Sequence, residues 1–176
     1  PKPNFSVIDK FLVMAEQNDM EAVLCINKCD LVSQEALEEL KAIYRNVYPV
    51  VCVSGKTGEG IDALQELLRG RRAAFAGPSG VGKSTITNQI IPGANMETGA
   101  VSQKTARGRH TTRHVEIFET DGGGLIFDTP GFTSFDILEA GEDELADFYP
   151  ELAELKGQCR FDNCRHIKEP DCAVRA

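Results

Sequence analysis

The sequence predicts an α/β fold, a mainly parallel sheet covered by helices on both faces. Three observations predict it. Short, almost wholly apolar runs recur at residues 22–26, 47–53 and 73–76, the mark of strands buried on both sides. Stretches with helical spacing of apolar residues alternate with those runs. One junction is a glycine-rich turn leading straight from a strand into a helix.

Each element has its own justification. Phe5, Ile8, Phe11, Leu12 and Ala15 recur at helical spacing, with Ser6 as the expected N-cap. Ala22–Ile26 is the first strand. Gln34–Tyr44 follows as a helix, with Ser33 as N-cap and Ala36, Leu37, Leu40 and Ile43 as its apolar face. Val47–Val53 is the second strand, Gly58 and Gly60 make a turn, and Ile61–Leu68 is the next helix. Ala73–Ala76 is the third strand, and Lys83–Ile90 a helix after the glycine turn. Pro92–Arg113 holds no periodic element and reads as a long loop, which in a compact domain calls for a functional reason. Val115–Phe118 and Leu125–Phe127 are two further strands joined around Gly122, Gly123 and Gly124. From Ser134 onward an acidic, partly helical segment forms a separate small element.

Composition limits the partners. With 41% hydrophobic and 26% charged residues over 176 positions, the chain is globular, not disordered. No apolar run approaches the roughly 20 residues of a membrane helix, and none has a signal-peptide layout, so no membrane partner and a cytoplasmic location are expected. The net charge of −8 argues at first against nucleic acid. Its source is local: eight acidic residues and no basic ones lie between Ser134 and Leu155, and the rest of the chain carries 19 of each sign. Lys104, Arg107, Arg109 and Arg113 crowd the long loop with no acidic residue between Thr98 and Val115. That cluster is either a solvated face or a set of phosphate contacts to RNA.

The glycine turn carries the strongest chemistry. Gly77, Pro78, Ser79, Gly80, Val81, Gly82, Lys83 and Ser84 match the Walker A pattern in full, between a strand and a helix, with Thr85 beside them. Glycines let the backbone wrap so that its N–H groups face phosphate oxygens, and the helix start adds its positive end. Lys83 reaches the β- and γ-phosphates, and the Ser84 hydroxyl ligates Mg²⁺. Asn27, Lys28 and Asp30 follow a buried strand, where a carboxylate can accept both the ring N1–H and the exocyclic amine of guanine. Ser54, Gly55 and Lys56 end the next strand and can pack beside the same base. Asp128 ends the strand Leu125–Phe127 at a Walker B position and serves Mg²⁺, with the Gly131 N–H facing the γ-phosphate. Thr111 or Thr112 supplies a further hydroxyl to Mg²⁺; spacing does not choose between them. Phe132 stands where a water-orienting glutamine would help, and phenylalanine cannot polarise water. His110, in the same loop, is the candidate for positioning the attacking water.

The cysteines divide into two groups. Cys25, Cys29 and Cys52 lie in or beside strand runs and read as buried free thiols. Cys159, Cys164, His166 and Cys172 offer three thiolates and an imidazole, a sensible tetrahedral zinc set whose four filled positions favour a structural role.

The order of the motifs is the most specific feature. The guanine motif comes first, then Ser54-Gly55-Lys56, the P-loop, Thr111 and Thr112, and Asp128–Gly131. This P-loop NTPase order resembles the circularly permuted GTPases, and among them the ribosome small subunit-dependent GTPase A family. Pro3–Ser6, Arg107–Thr112, Asp128–Phe132 and the final cysteines match that family's motifs as well. The resemblance implies a permuted GTPase domain over 1–134 and the start of a zinc-binding helical element over 135–176. It also implies an oligonucleotide-binding barrel and a strand ahead of Pro3, and a zinc region continuing past Ala176, none of them within these 176 residues. The expected function is hydrolysis of GTP to GDP coupled to late assembly of the 30S subunit, slow alone and stimulated by that subunit. GTP or GDP, Mg²⁺ and Zn²⁺ are the expected ligands, 16S rRNA the expected contact, and a monomer the expected state. Two rivals are an RNA-binding scaffold whose nucleotide only switches its conformation, and a P-loop ATPase or kinase, against which Asn27–Asp30 argues.

Overall fold

The computed structural model describes residues 3–91, 93, 94, 96, 116–128, 141 and 144–176. The chain divides into two compact units, Pro1–Ala22 with Phe135–Ala176, and Val23–Ser134. By internal contacts the first helix clusters with the C-terminal segment.

In the unit Val23–Ser134, β1 (Leu24–Ile26) pairs in parallel with β2 (Val50–Cys52), with Leu24 opposite Val50 and Ile26 opposite Cys52. A second sheet has the order β3-β5-β4. There β3 (Arg72–Ala74) lies parallel to β5 (Leu125–Asp128), and β4 (Glu116–Glu119) runs antiparallel to β5. The antiparallel pair follows from its short connection: the Thr120 N–H donates to the Gly124 carbonyl at 2.8 Å, and the Gly124 N–H donates to Thr120 Oγ1 at 3.0 Å. Both sheets share one core of Val51, Val53, Ile61, Leu64, Leu68, Ile86, Ile90 and Ile126. Burying each such side chain is worth about 1.5–3 kcal/mol, so this cluster fixes helices and strands together.

Helices α2 (Gln34–Tyr44), α3 (Ile61–Leu68) and α4 (Lys83–Ile90) occupy the predicted spans. Ser33 caps α2, accepting from the Ala36 N–H at 3.3 Å. The α2 face is narrower than predicted: Leu37 is buried, but Ile43 is 52% exposed. The strands are shorter than the apolar runs. Val47 and Tyr48 donate their N–H groups back to the Tyr44 carbonyl at 2.9 and 2.8 Å, so the run entering β2 first completes the helix end. Past Ala74, the run leaves the ladder for the glycine loop.

In the other unit, α1 (Phe5–Gln17) starts two residues earlier than Ser6 as N-cap would allow. Asn4 is its cap, extended in backbone and accepting the Val7 N–H. Leu12 and Val13 are buried, and α1 packs with a 3₁₀ turn, Leu145–Phe148. A short helix α5 (Pro150–Ala153) leads into the cysteine loop. Among the described residues, no helix is long and apolar enough to cross a membrane.

Candidate nucleotide site and metal centre

The β3 strand delivers the chain into the loop 77–82, and α4 begins at Lys83. Gly82 is the N-cap of α4 with φ of 101°, a left-handed conformation natural to glycine. A Cβ there would also lie 2.2 Å from Asn27 Nδ2. Two independent constraints thus demand glycine at this position. Lys83 Nζ donates to the carbonyls of Gly77 at 2.5 Å and Pro78 at 3.0 Å, which holds the ammonium over the loop. A phosphate oxygen is a stronger, charged acceptor for the same group. Ser84 and Thr85 lie half-buried on the first turn of α4.

The structure brings the Asn27–Asp30 motif onto this loop. Asn27 Nδ2 donates to the Val81 carbonyl at 2.8 Å, and its Oδ1 accepts the N–H groups of Lys28 at 2.7 Å and Gly55 at 3.0 Å. Lys28, in left-handed backbone geometry, donates from Nζ to the Gly80 carbonyl at 2.9 Å. The structure shows Asn27 and Lys28 stitching three loops together, a role invisible to spacing because it depends on contacts across more than 50 residues. Asp30 is exposed on a 3₁₀ turn, Cys29–Leu31.

Ser54 is fully buried. Its Oγ accepts the Thr57 N–H at 3.1 Å, and its own N–H donates to the Glu59 carbonyl at 2.8 Å. It builds the turn, while Gly55 faces α4: the Gly55 carbonyl accepts from Gln89 Nε2 at 3.1 Å. Gln89 is a positioning contact that the sequence reading missed, and no local signal marks it. Lys56 is exposed beyond them. Gly60, with φ of 72°, closes the same turn against β2, and a Cβ there would overlap the Cys52 carbonyl.

Asp128 is the last residue of β5, whose parallel partner β3 runs into the phosphate loop. Register alone thus brings Asp128 to the sheet edge that carries residues 77–83. The oxygen donors Ser84 and Asp128 are of the hard type that Mg²⁺ takes. His110, Thr111, Thr112, Gly131, Phe132 and the basic residues 104, 107, 109 and 113 lie outside the described residues.

Ligand atoms of Cys159, Cys164, His166 and Cys172 all lie within 4.8 Å of one another. His166 Nδ1 is 3.6 Å from Cys159 Sγ and 3.4 Å from Cys172 Sγ. Tetrahedral zinc, with Zn–S of about 2.3 Å and Zn–N of about 2.0 Å, sets its ligands roughly 3.5 Å apart, so the set fits that ion. Desolvation raises the Cys172 thiol, but the hydrogen bond to His166 and those from the Arg175 and Val174 backbone outweigh it and bring the thiol down. Desolvation leads in pushing Cys164 up. One sulfur is thus ready to ionise near neutral pH, the form in which thiols bind metal. Glu169 was not singled out in the sequence, yet its carboxylate accepts the N–H groups of Ile167 and Lys168, both at 2.9 Å, and of Arg165 at 3.2 Å. Those backbone bonds, Lys168's first, hold its carboxyl down at about 2. Cys25, Cys29 and Cys52 are free thiols in or beside the strands, as expected, but only Cys29 is buried, and Cys25 and Cys52 are half-buried.

A strand, a glycine loop and a helix, with the guanine-type motif upstream and bonded to the loop, define a P-loop GTPase fold in permuted order. The family model for the RsgA GTPase matches residues 1–138. This chain belongs to that family. It is similar to the small ribosomal subunit biogenesis GTPase RsgA of Alkaliphilus metalliredigens, 46% identical over 99% of this chain and 60% of the relative. The protein of the same name from Thermotoga neapolitana is 45% identical, over 99% and 60%. Among solved structures, YjeQ from Thermotoga maritima aligns with a TM-score of 0.81 and 40% identity, covering 99% of this chain and 59% of that one. YloQ, a circularly permuted GTPase, gives a TM-score of 0.77 and 32% identity, over 99% and 56%. This chain therefore spans about 60% of the length of those curated relatives.

Proposed function

We propose that this chain is the nucleotide-hydrolysing core of a GTPase serving maturation of the 30S subunit, splitting GTP and water into GDP and phosphate. The observation that carries it is the Asn27–Val81 bond of 2.8 Å, which joins the guanine-type motif to the phosphate loop. The relatives named small ribosomal subunit biogenesis GTPase support the ribosomal partner.

In this reading the N–H groups of residues 77–84 and the Lys83 ammonium hold the phosphates. Asp30 accepts the guanine N1–H and amine, and Ser54, Gly55 and Lys56 border the base. Ser84 and Asp128 hold Mg²⁺, joined by Thr111 or Thr112; when bound, the ion neutralises charge on the phosphate oxygens. The Gly131 N–H donates to the γ-phosphate. His110 orients the attacking water, since Phe132 cannot. Lys104, Arg107, Arg109 and Arg113 meet 16S rRNA phosphates, which couples hydrolysis to subunit binding. Residues 1–134 form the GTPase domain, and 135–176 begin a zinc element in which Cys159, Cys164, His166 and Cys172 hold a structural Zn²⁺. The chain acts as a monomer in the cytoplasm.

Competition between GDP and ADP for the purified chain tests the base assignment. GDP should bind at least about 100-fold more tightly, because adenine has no N1–H and leaves the Asp30 acceptor unmatched. Equal competition by ADP overturns it.

A further inference from the structure

The cysteine loop is organised by a carboxylate that ligates nothing itself. Glu169 gathers the N–H groups of Arg165, Ile167 and Lys168, which bracket His166. The His166 backbone is left-handed, with φ of 60°, a conformation that costs a non-glycine residue about 1–2 kcal/mol. The turn therefore needs an external hold, and three hydrogen bonds to an ionised acceptor are the strong kind.

We propose that Glu169 is the positioning residue of the metal centre: it fixes the His166 turn so that Nδ1 stands beside the Cys159 and Cys172 sulfurs before any ion arrives. The proposal rests on the reading of the Cys3His cluster as a zinc site.

A neighbouring contact gives the contrast. Arg160 and Asp171, next in sequence to Cys159 and Cys172, are tied by an ion pair of 2.9 Å and by a backbone bond, Arg160 N–H to Asp171 carbonyl, of 3.3 Å. Both side chains are more than 60% exposed, and exposed pairs of this kind contribute little. The backbone bond survives replacement of the side chain. Removing Glu169 instead strands three amides at once.

The test uses the full chain, stripped of metal and kept reduced, as wild type, Glu169→Ala, Glu169→Gln and Asp171→Asn. Co²⁺ is titrated and its visible d–d bands are followed; Zn²⁺ affinity is then read by competition with a chromophoric chelator. Glu169→Ala should weaken both metals roughly 10- to 100-fold and dull the tetrahedral-thiolate spectrum. Glu169→Gln, which keeps a carbonyl acceptor, should fall between that and wild type, and Asp171→Asn should stay within about threefold. GDP affinity, carried by the other unit, should be unchanged and reports that the nucleotide-binding unit stays intact in each variant. Glu169→Ala with wild-type affinity and spectrum overturns the proposal; if that variant is insoluble, wild-type behaviour of Glu169→Gln does so. A wild-type chain that gives no tetrahedral-thiolate spectrum overturns the zinc reading itself, and the two failures are distinct.

Discussion

Asn27 donates its side-chain N–H to the Val81 carbonyl at 2.8 Å while the other end of the same amide accepts the Gly55 N–H at 3.0 Å. One planar group thus sets the distance between the phosphate loop and the turn expected beside the base. Each such bond is worth about 1 kcal/mol net. Asn27→Ala should lower Tm by about 3–6 °C and weaken GDP binding roughly 10- to 30-fold, read by thermal unfolding and by titration calorimetry. Unchanged GDP affinity would show that the loops need no such tie.

Asp30 should set base preference. In Asp30→Asn the amide oxygen still accepts one guanine donor, but the amide N–H₂ opposes the other. The preference for GDP over ADP should fall by about 2–3 kcal/mol, roughly 30- to 150-fold, with little change in stability because the residue is exposed. A competition assay that finds the same preference in both proteins removes Asp30 from the base site.

Metal removal should separate the six cysteines into two classes. Cys159, Cys164 and Cys172 converge on one centre, whereas Cys25, Cys29 and Cys52 are all held protonated, burial being the leading cause for each. With zinc bound, alkylation near pH 8 should be slow at every cysteine. Chelation should release the C-terminal three and leave the strand three slow. Peptide mapping by mass spectrometry reads the outcome, and fast labelling of Cys25 or Cys29 would refute it.

Cys25 also predicts an alkaline dependence of stability. Burial first, then the Cys52 and Cys29 thiols, raises it from 9.0 to about 12. Because the folded form holds its proton longer than the unfolded form, the stabilisation is complete below pH about 9 and is lost as pH rises through about 12. Urea unfolding across that window should show wild type losing stability more steeply than Cys25→Ala. Parallel slopes would contradict the assignment.

The sequence made the helices legible because their signals are local. Ser33 and the spacing of Leu37 and Leu40 set α2, and the motif at Gly77–Ser84 set the start of α4. Strand ends were less legible, since a run such as 47–53 does not reveal that Val47 and Tyr48 bond back to Tyr44. Nor did Phe5 and Ser6 disclose that Asn4 supplies the cap. The phosphate loop and the Cys3His set could be read because their chemistry dictates residue type and spacing. The work of Asn27 and Glu169 could not be, because each acts by bonding backbone groups that any residue type supplies.

The most direct measurement of the central claim is phosphate release from GTP, with the chain alone and with saturating purified 30S subunits. The account predicts slow turnover alone, a clear rise with 30S subunits, and no comparable release from ATP. Turnover that 30S subunits leave unchanged, or ATP hydrolysed as readily as GTP, would contradict it.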